Sequence, residues 1–362
     1  MRGSVALVLV LSLVFAVSVA GRVRPVWRYE IGYRRGPYVL SVAVSRDGSY
    51  IVAGSTDNKV YFLDRDGRLL WERRTGGWVS DVAISDDGSY VVAGSADDSV
   101  YLFSKDGELL WRYRALGDVV SVDVSGDGRY VIAGSADGSA YLFSREGRLI
   151  WRHRVGRKAW SVSIDRSGDH VAVGSSDGNV YLFSDEGRIL WRYRTGDWVS
   201  SIDISDDGSY IAVGEVGTIS LDRRLIGGSI DSRVHLFNKE GKLLWSYKVV
   251  LGIGSVAISS NGSYMAAGSA GNVVYMFDRD GKLLWRYRSR GRVLTVAMSE
   301  NGEYVAAGSL DNYIYFFNKD GELLWSYRTL GDVISVALSG DGSSLVAGSG
   351  LKIYFFTTTP PP

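Results

Sequence analysis

The sequence predicts an all-β chain: an eight-bladed β-propeller of four-stranded antiparallel blades, its ring closed by pairing the N-terminal strand with the C-terminal blade. Three observations carry this. Tryptophan recurs at Trp27, Trp71, Trp111, Trp151, Trp191, Trp245, Trp285 and Trp325, with spacings of 44, 40, 40, 40, 54, 40 and 40 residues, a period that suits propeller blades or helical repeats. Each period holds four short runs rich in Val, Ile and Tyr, divided by glycine-containing turns, and no run is long enough for an amphipathic helix. The ends are mismatched: "RPVWRYE" at 24–30 is a closing run with no unit before it, and the last unit stops at "IYFF" without one.

In chain order, residues 1–20 stand apart. Arg2, the apolar stretch "VALVLVLSLVFAV" and "SVA" before Gly21 read as a secretory signal cut after Ala20. The apolar run is shorter than the roughly 20 residues a spanning helix needs. The expectation is an exported protein, extracellular, cell-surface or periplasmic, with no integral membrane span once the signal is removed. The chain has no cysteine, so its core alone must hold it together outside the cell.

Residues 24–356 are the propeller. "SVAVS" is strand A, "YIVAGS" strand B, "VYLFS" strand C and "LLWRYR" strand D. A–B turns carry Asp-Gly or Asn-Gly, as at Asp87-Gly88 and Asn301-Gly302, and C–D turns Asp-Gly or Glu-Gly, as at Asp106-Gly107 and Glu146-Gly147. Glycine supplies the positive φ of tight hairpins. Eight A strands begin at Ser41, Asp81, Ser121, Ser161, Ser201, Ser255, Thr295 and Ser335, and eight tryptophan runs match them only if the first one completes the last blade. A ring hides its sheet edges when closed in this way.

In strand D, Trp111 and Tyr113 share one face and Arg112 and Arg114 the other. With a formal net charge of +1, the arginines read as charges that blunt an outer edge, and no nucleic-acid partner is expected. Residues 357–362, "TTTPPP", form a Thr/Pro-rich tail that packs no core. His153, His170 and His235 each replace a repeat tyrosine at different strand positions and are expected to be structural, with no metal site. Asn261-Gly262-Ser263 is a possible glycan acceptor.

Function is sought on the face where lengths vary. A–B and C–D turns share one face and keep constant length, whereas B–C and D–A loops share the other and change. The first D–A connection is longer, and the fifth B–C loop gains "EVGTISLDRRLIGG" at 215–228. A variable face opposite a constant one is the expected binding face. Just before strand A, one column reads Tyr38, Trp78, Asp118, Lys158, Trp198, Gly252, Arg292 and Asp332, expected to ring the mouth of the central channel. Trp160 adds an aromatic, and the third position of strand A, usually alanine, is Asp123 and Asp203 in two blades with Ser163 between. The candidate is a polar, aromatic-lined pocket for a protein or glycan.

Ser80–Ser104 carries an Asp-Gly turn, the loop residue Asp97 and a strand ending in an aromatic and a polar residue, and resembles a WD repeat. It lacks the Gly-His before strand A, and Phe103-Ser104 stands where that family has Trp-Asp. The "DGELLW" and "DGKLLW" segments resemble the tryptophan-docking repeat of pyrroloquinoline-quinone-type propellers, commonly eight-bladed. Two functions follow as expectations. The preferred one is a monomeric, non-catalytic binding or scaffold module without a cofactor. The alternative, implied by the second resemblance, is a dehydrogenase using pyrroloquinoline quinone and calcium, with Asp123 or Asp203 as ligand or base, although the adjacent cysteine pair of many such enzymes is missing.

Overall fold

A computed structural model of the chain describes residues 23–32, 38–217 and 231–358. The leader at 1–20, most of the 215–228 insertion and the end of the tail lie outside the described residues. The strands form eight four-stranded antiparallel sheets. Strand A is innermost in each, and the eight A strands, Val39–Val44, Val79–Ile84, Val119–Val124, Ala159–Ile164, Trp198–Ile204, Ile253–Ile258, Val293–Met298 and Val333–Leu338, stand side by side around the axis. We number the blades 1 to 8 in that order. Among the described residues no helix is long and apolar enough to cross a membrane.

The ring closes as the repeat count requires. Trp27–Glu30 lies against Lys352–Thr357 in blade 8, with Trp27 opposite Phe355 and Glu30 opposite Lys352. The Trp27 ring stacks on Phe355 at 5.2 Å. It also reaches across to blade 1, where its Nε1 donates to the Arg65 carbonyl at 2.8 Å. One short strand therefore completes the last blade and binds it to the first.

That reach is the repeating joint between blades. Trp71, Trp111, Trp151, Trp191, Trp245 and Trp285 each donate Nε1 to the carbonyl that opens the next blade's C–D turn, at 2.8–3.1 Å. Each indole covers the glycine of that turn. Gly147 has φ +81°, and a Cβ there would stand 2.7 Å from the Trp111 ring; both the backbone and the close approach exclude a side chain. Trp325 is the exception. Blade 8 takes its outer strand from the N-terminal segment, so it has no C–D turn, and the buried Trp325 Nε1 has no partner among the described residues.

Apolar packing runs across the joints. Val100 and Leu102 of blade 2 pack with Val122, Val131 and Phe143 of blade 3, with Trp111 against them, so the core lies mainly between neighbouring sheets. Every A strand also carries a bulge near its start, after the first residue in seven blades and after Val199, the second, in blade 5: Trp160 is the extra residue in blade 4, between Ala159 and Ser161. A bulge redirects the side chain it carries, and this one turns Trp160 beside the loop face.

Candidate functional site

The central channel is lined at three levels. Strand A has no sheet neighbour on its inner side, so its inward N–H groups need other acceptors. Side chains of the preceding blade provide them. The Ser41 hydroxyl accepts from Val82 N–H at 3.3 Å, Ser121 from Val162 at 3.3 Å, Ser161 from Ile202 at 3.0 Å, Ser201 from Val256 at 3.1 Å and Ser335 from Val42 at 3.1 Å. Asp81 serves the same seam between blades 2 and 3, accepting from Val122 N–H at 2.9 Å and from the Ser41 hydroxyl at 2.8 Å. The recurring Ser at the start of strand A is thus a stitch between blades, and Asp81 is a charged version of it. Burial pushes the Asp81 carboxyl up against these hydrogen bonds.

One step along the strands, Asp123 accepts from Ile164 N–H of blade 4 at 3.0 Å, and Asp203 from Ile258 N–H of blade 6 at 2.9 Å. The alanines at this position in other blades cannot do so. Burial raises the Asp123 carboxyl to about 6 and the Asp203 carboxyl to about 7, with Asp81 adding to the first and Asp123 and Asp206 to the second.

At the constant face the A–B turns meet in a second ring. Arg46 N–H donates to the Asp86 carbonyl, Asp86 to Gly126, Gly126 to Arg166, Arg166 to Asp206, Ser260 to Glu300, Glu300 to Gly340, and Gly340 back to Arg46, at 2.8–3.2 Å. Inside this ring Arg46 pairs with Glu300 and lies 3.8 Å from Asp86, and Arg166 reaches Asp86 at 2.7 Å. Asp86 is raised by burial and by Asp206 and Glu300, and drawn down by Arg46. A cavity of about 770 Å³ opens here among Arg46, Asp47, Asp86, Asp87, Glu300 and Asp341.

At the variable face, Tyr38 is 54% and Trp78 59% exposed; Asp118, Lys158, Arg292 and Asp332 are also exposed. Their backbones are fixed: the carbonyls of Tyr38, Trp78, Asp118, Lys158, Gly252 and Arg292 each accept an N–H from the B–C loop of their own blade at 2.8–3.0 Å. Trp160 and Trp198 meet edge to face at 4.8 Å, and Lys158 Nζ sits 5.9 Å above Trp160. The structure therefore gathers Lys158, Trp160 and Trp198 into one cluster. No hydrogen bond, ion pair or ring contact joins Tyr38, Trp78, Asp118, Arg292 or Asp332 to it among the described residues. Asp123 and Asp203 lie below, in the wall.

Sequence reading passed over several neighbours. Leu116, Val250 and Leu330 are 68–76% exposed on the same loop face. The Arg46–Asp86–Glu300 ring is hard to see in the chain because its members belong to turns forty or more residues apart, 254 for Arg46 and Glu300; aligning the residue after each A strand's closing serine displays it. The loop aspartates that resemble those of WD repeats prove to be buttresses. Asp97 takes the Tyr101 phenol, Gly76 N–H at 3.0 Å and Arg112 at 2.9 Å. In blade 3 the same arrangement, burial plus the Asp137 carboxylate, pushes Tyr141 up to about 12. Arg112 and Arg152 of strand D are thus held by Asp97 and Asp137.

Blade 5 departs from this scheme. Glu215 replaces the usual serine and His235 the usual tyrosine, and the two meet at 2.9 Å, both buried. Glu215 Oε1 and His235 Nδ1 have no partner among the described residues, so there His235 is less satisfied than a simple structural imidazole. His153 stacks on Phe183 at 5.1 Å, and His170 bonds Asp165 at 2.8 Å, which raises its pKa. Asn261 Oδ1 accepts Ser263 N–H at 2.9 Å within its turn.

The family model described as "Outer membrane protein assembly factor BamB" matches residues 14–224 and 230–358. No curated protein matches the chain. Among solved structures, Sqt1 from Chaetomium thermophilum aligns with TM-score 0.77 at 14% identity, covering 93% of this chain and 99% of that one. Its complex with the N-terminus of the ribosomal protein L10 aligns with TM-score 0.75 at 16% identity, covering 91% and 98%. The computationally designed Ika8 protein aligns with TM-score 0.75 at 16% identity, covering 89% and 97%. At such identities these likenesses establish the fold alone.

Proposed function

This chain belongs to the BamB family of repeat propellers, and on that premise we propose that it is an exported, non-catalytic scaffold that binds a protein partner on its variable loop face. The observation that carries the reading is the concentration of exposed apolar side chains there. Tyr38, Trp78, Leu116, Val250 and Leu330 are each more than half exposed; the Tyr38 and Trp78 carbonyls accept backbone N–H groups, the Val250 carbonyl accepts the Ser269 hydroxyl at 2.8 Å, and Leu330 N–H donates to the Tyr354 hydroxyl at 3.4 Å. Large apolar side chains held out in water on a rigid frame suit partner binding. The L10 peptide held by a propeller of this architecture, and the family's description as an outer-membrane assembly factor, support a protein partner and a site of action beyond the cytoplasm. A glycan remains a second ligand class for the Trp160–Trp198 cluster.

The quinone-dependent reading fares less well. Among the described residues no three His, Asp or Glu side chains are placed to hold a metal ion, and Asp123 and Asp203 each give one carboxyl oxygen to a backbone N–H of a neighbouring blade. A peptide and glycan array probed with the parent chain, Trp78→Ala, Leu330→Ala and the constant-face control Asp127→Ala tests the proposal. Loss of peptide signal in the first two variants alone supports it; equal signal in all four rejects it.

A further inference from the structure

Ser163 lies between two carboxyls and has one hydrogen to give. Its Oγ is 3.4 Å from Asp123 Oδ2 and 3.4 Å from Asp203 Oδ1. With both carboxyls ionised, one of these contacts would set a hydroxyl lone pair against a carboxylate lone pair, beside the buried Ser163 in a half-buried stretch of the channel wall where charge is costly. The backbone donors orient the three groups. Asp203 Oδ2 is taken by Ile258 N–H at 2.9 Å, Ile204 N–H is a weaker second donor to the same carboxyl, and Oδ1 faces Ser163. Asp123 accepts on both oxygens, from Val124 N–H at 2.8 Å and Ile164 N–H at 3.0 Å, and so is the better placed of the two to stay ionised.

We propose that Asp203, Ser163 and Asp123 form a proton-sharing relay across blades 5, 4 and 3: Asp203 carries a proton on Oδ1 and donates it to Ser163, which donates to Asp123, and release of that proton to solvent weakens the inner seams of these blades. The surroundings favour retention. Asp81, on the blade 2 A strand, acts on Asp123, and Asp206, in the turn after the blade 5 A strand, acts on Asp203. The turn after the blade 4 A strand brings Asp165 and Arg166, engaged with His170 and Asp86. His170 and Glu215 lie on the neighbouring B strands of blades 4 and 5, and Glu215 is paired with His235. The B strands of blades 2 and 3, the C strand of blade 4 and the A strand of blade 6 carry no acidic or basic residue. The order of the two raised carboxyls, about 7 for Asp203 and about 6 for Asp123, agrees with the proton resting on Asp203.

The sign follows from linkage. A carboxyl whose folded pKa is raised holds a proton that the unfolded chain has lost. Its stabilising contribution is complete below the ordinary aspartate value and fades as pH rises through about 7. The test is infrared difference spectroscopy on the full chain between about pH 5.5 and about pH 8.5, with thermal unfolding alongside. The parent chain should show a protonated-carboxyl band that disappears with a midpoint near 7, and an unfolding temperature that falls over the same interval. Asp203→Asn keeps the carbonyl acceptor for Ile258, and it should lose the component of the band that titrates near 7, leaving only what Asp123 contributes near 6, and flatten the unfolding profile above that value. Ser163→Ala should move the midpoint. No band in the parent at the lower pH, or an undiminished band in Asp203→Asn (which would assign it to Asp81 or Asp86), overturns the proposal.

Discussion

Trp71 and Trp325 offer a controlled comparison of the joint between blades. Both are 6% exposed. Trp71 stacks on Phe62 at 5.0 Å, and Trp325 stacks on Phe316 at 5.0 Å. They differ in the turn they meet: Trp71 covers Gly107, with Arg73 5.7 Å over its ring, and donates Nε1 to the Lys105 carbonyl at 2.8 Å, whereas Trp325 meets no C–D turn and its buried Nε1 has no acceptor among the described residues. Replacement by phenylalanine removes similar ring area at both sites, so those losses nearly cancel in the comparison. At Trp71 it also deletes a hydrogen bond with a net contribution of about 1 kcal/mol, and at Trp325 it removes an unsatisfied donor that costs about 1–3 kcal/mol. Trp71→Phe should therefore be the less stable variant by about 2–4 kcal/mol. Urea unfolding of the two variants beside the parent, followed by far-ultraviolet circular dichroism, reads the difference as a separation of midpoints. Equal destabilisation would show that the indole N–H contributes nothing at the joint, and that the missing turn in blade 8 has no energetic consequence.

Gly147→Ala forces a side chain into left-handed backbone against the Trp111 ring, so it should cost at least the roughly 1–2 kcal/mol of an L-residue in that region; differential scanning calorimetry reads the fall in unfolding temperature. Asp47, Asp87, Asp127, Asp207 and Asp341 sit below the ordinary carboxylate value: burial opposes this, but hydrogen bonds from turn serines, and in Asp127 from Arg129, outweigh it. Their folded pKa values are depressed, so their contribution is present above about pH 4 and is lost as pH falls further. Unfolding temperature should drop on that acid limb, and Asp87→Asn should make the drop shallower. Asp97→Ala strips the acceptor from Tyr101, Arg112 and Gly76 N–H, and amide exchange at Gly76 should quicken without change at Gly291, which is held by Asp311 in its own blade.

The strands and the closure were legible because β-structure writes itself locally: side chains alternate with period two, and glycine must stand where φ is positive. Trp27 announced its partner blade by being one closing run too early. The mouth column was legible for a different reason, since Tyr38, Trp78 and Asp118 vary where the rest of the repeat does not. What stayed hidden depends on neighbours across the ring. Nothing around Ser41 or Ser161 in the chain shows that their hydroxyls serve N–H groups of the following blade, so Asp81 passed as a strand residue. Arg46 and Glu300 are 254 residues apart, and only the curvature of eight sheets brings them together. Glu215 and His235 were visible as departures from the serine and tyrosine columns, but their meeting depends on strand register, which fixes Val213 opposite His235.

The ring closure can be tested with two cysteines in a chain that has none. Glu30 and Lys352 are directly opposite in the blade 8 sheet, with their charged ends 3.2 Å apart. In the Glu30→Cys, Lys352→Cys variant, the account predicts a disulfide that forms under mild oxidation in the native protein, within the chain, and raises the urea midpoint over the reduced form. Two thiols that remain free and reactive under those conditions would place the chain's ends apart and contradict the closed eight-bladed ring.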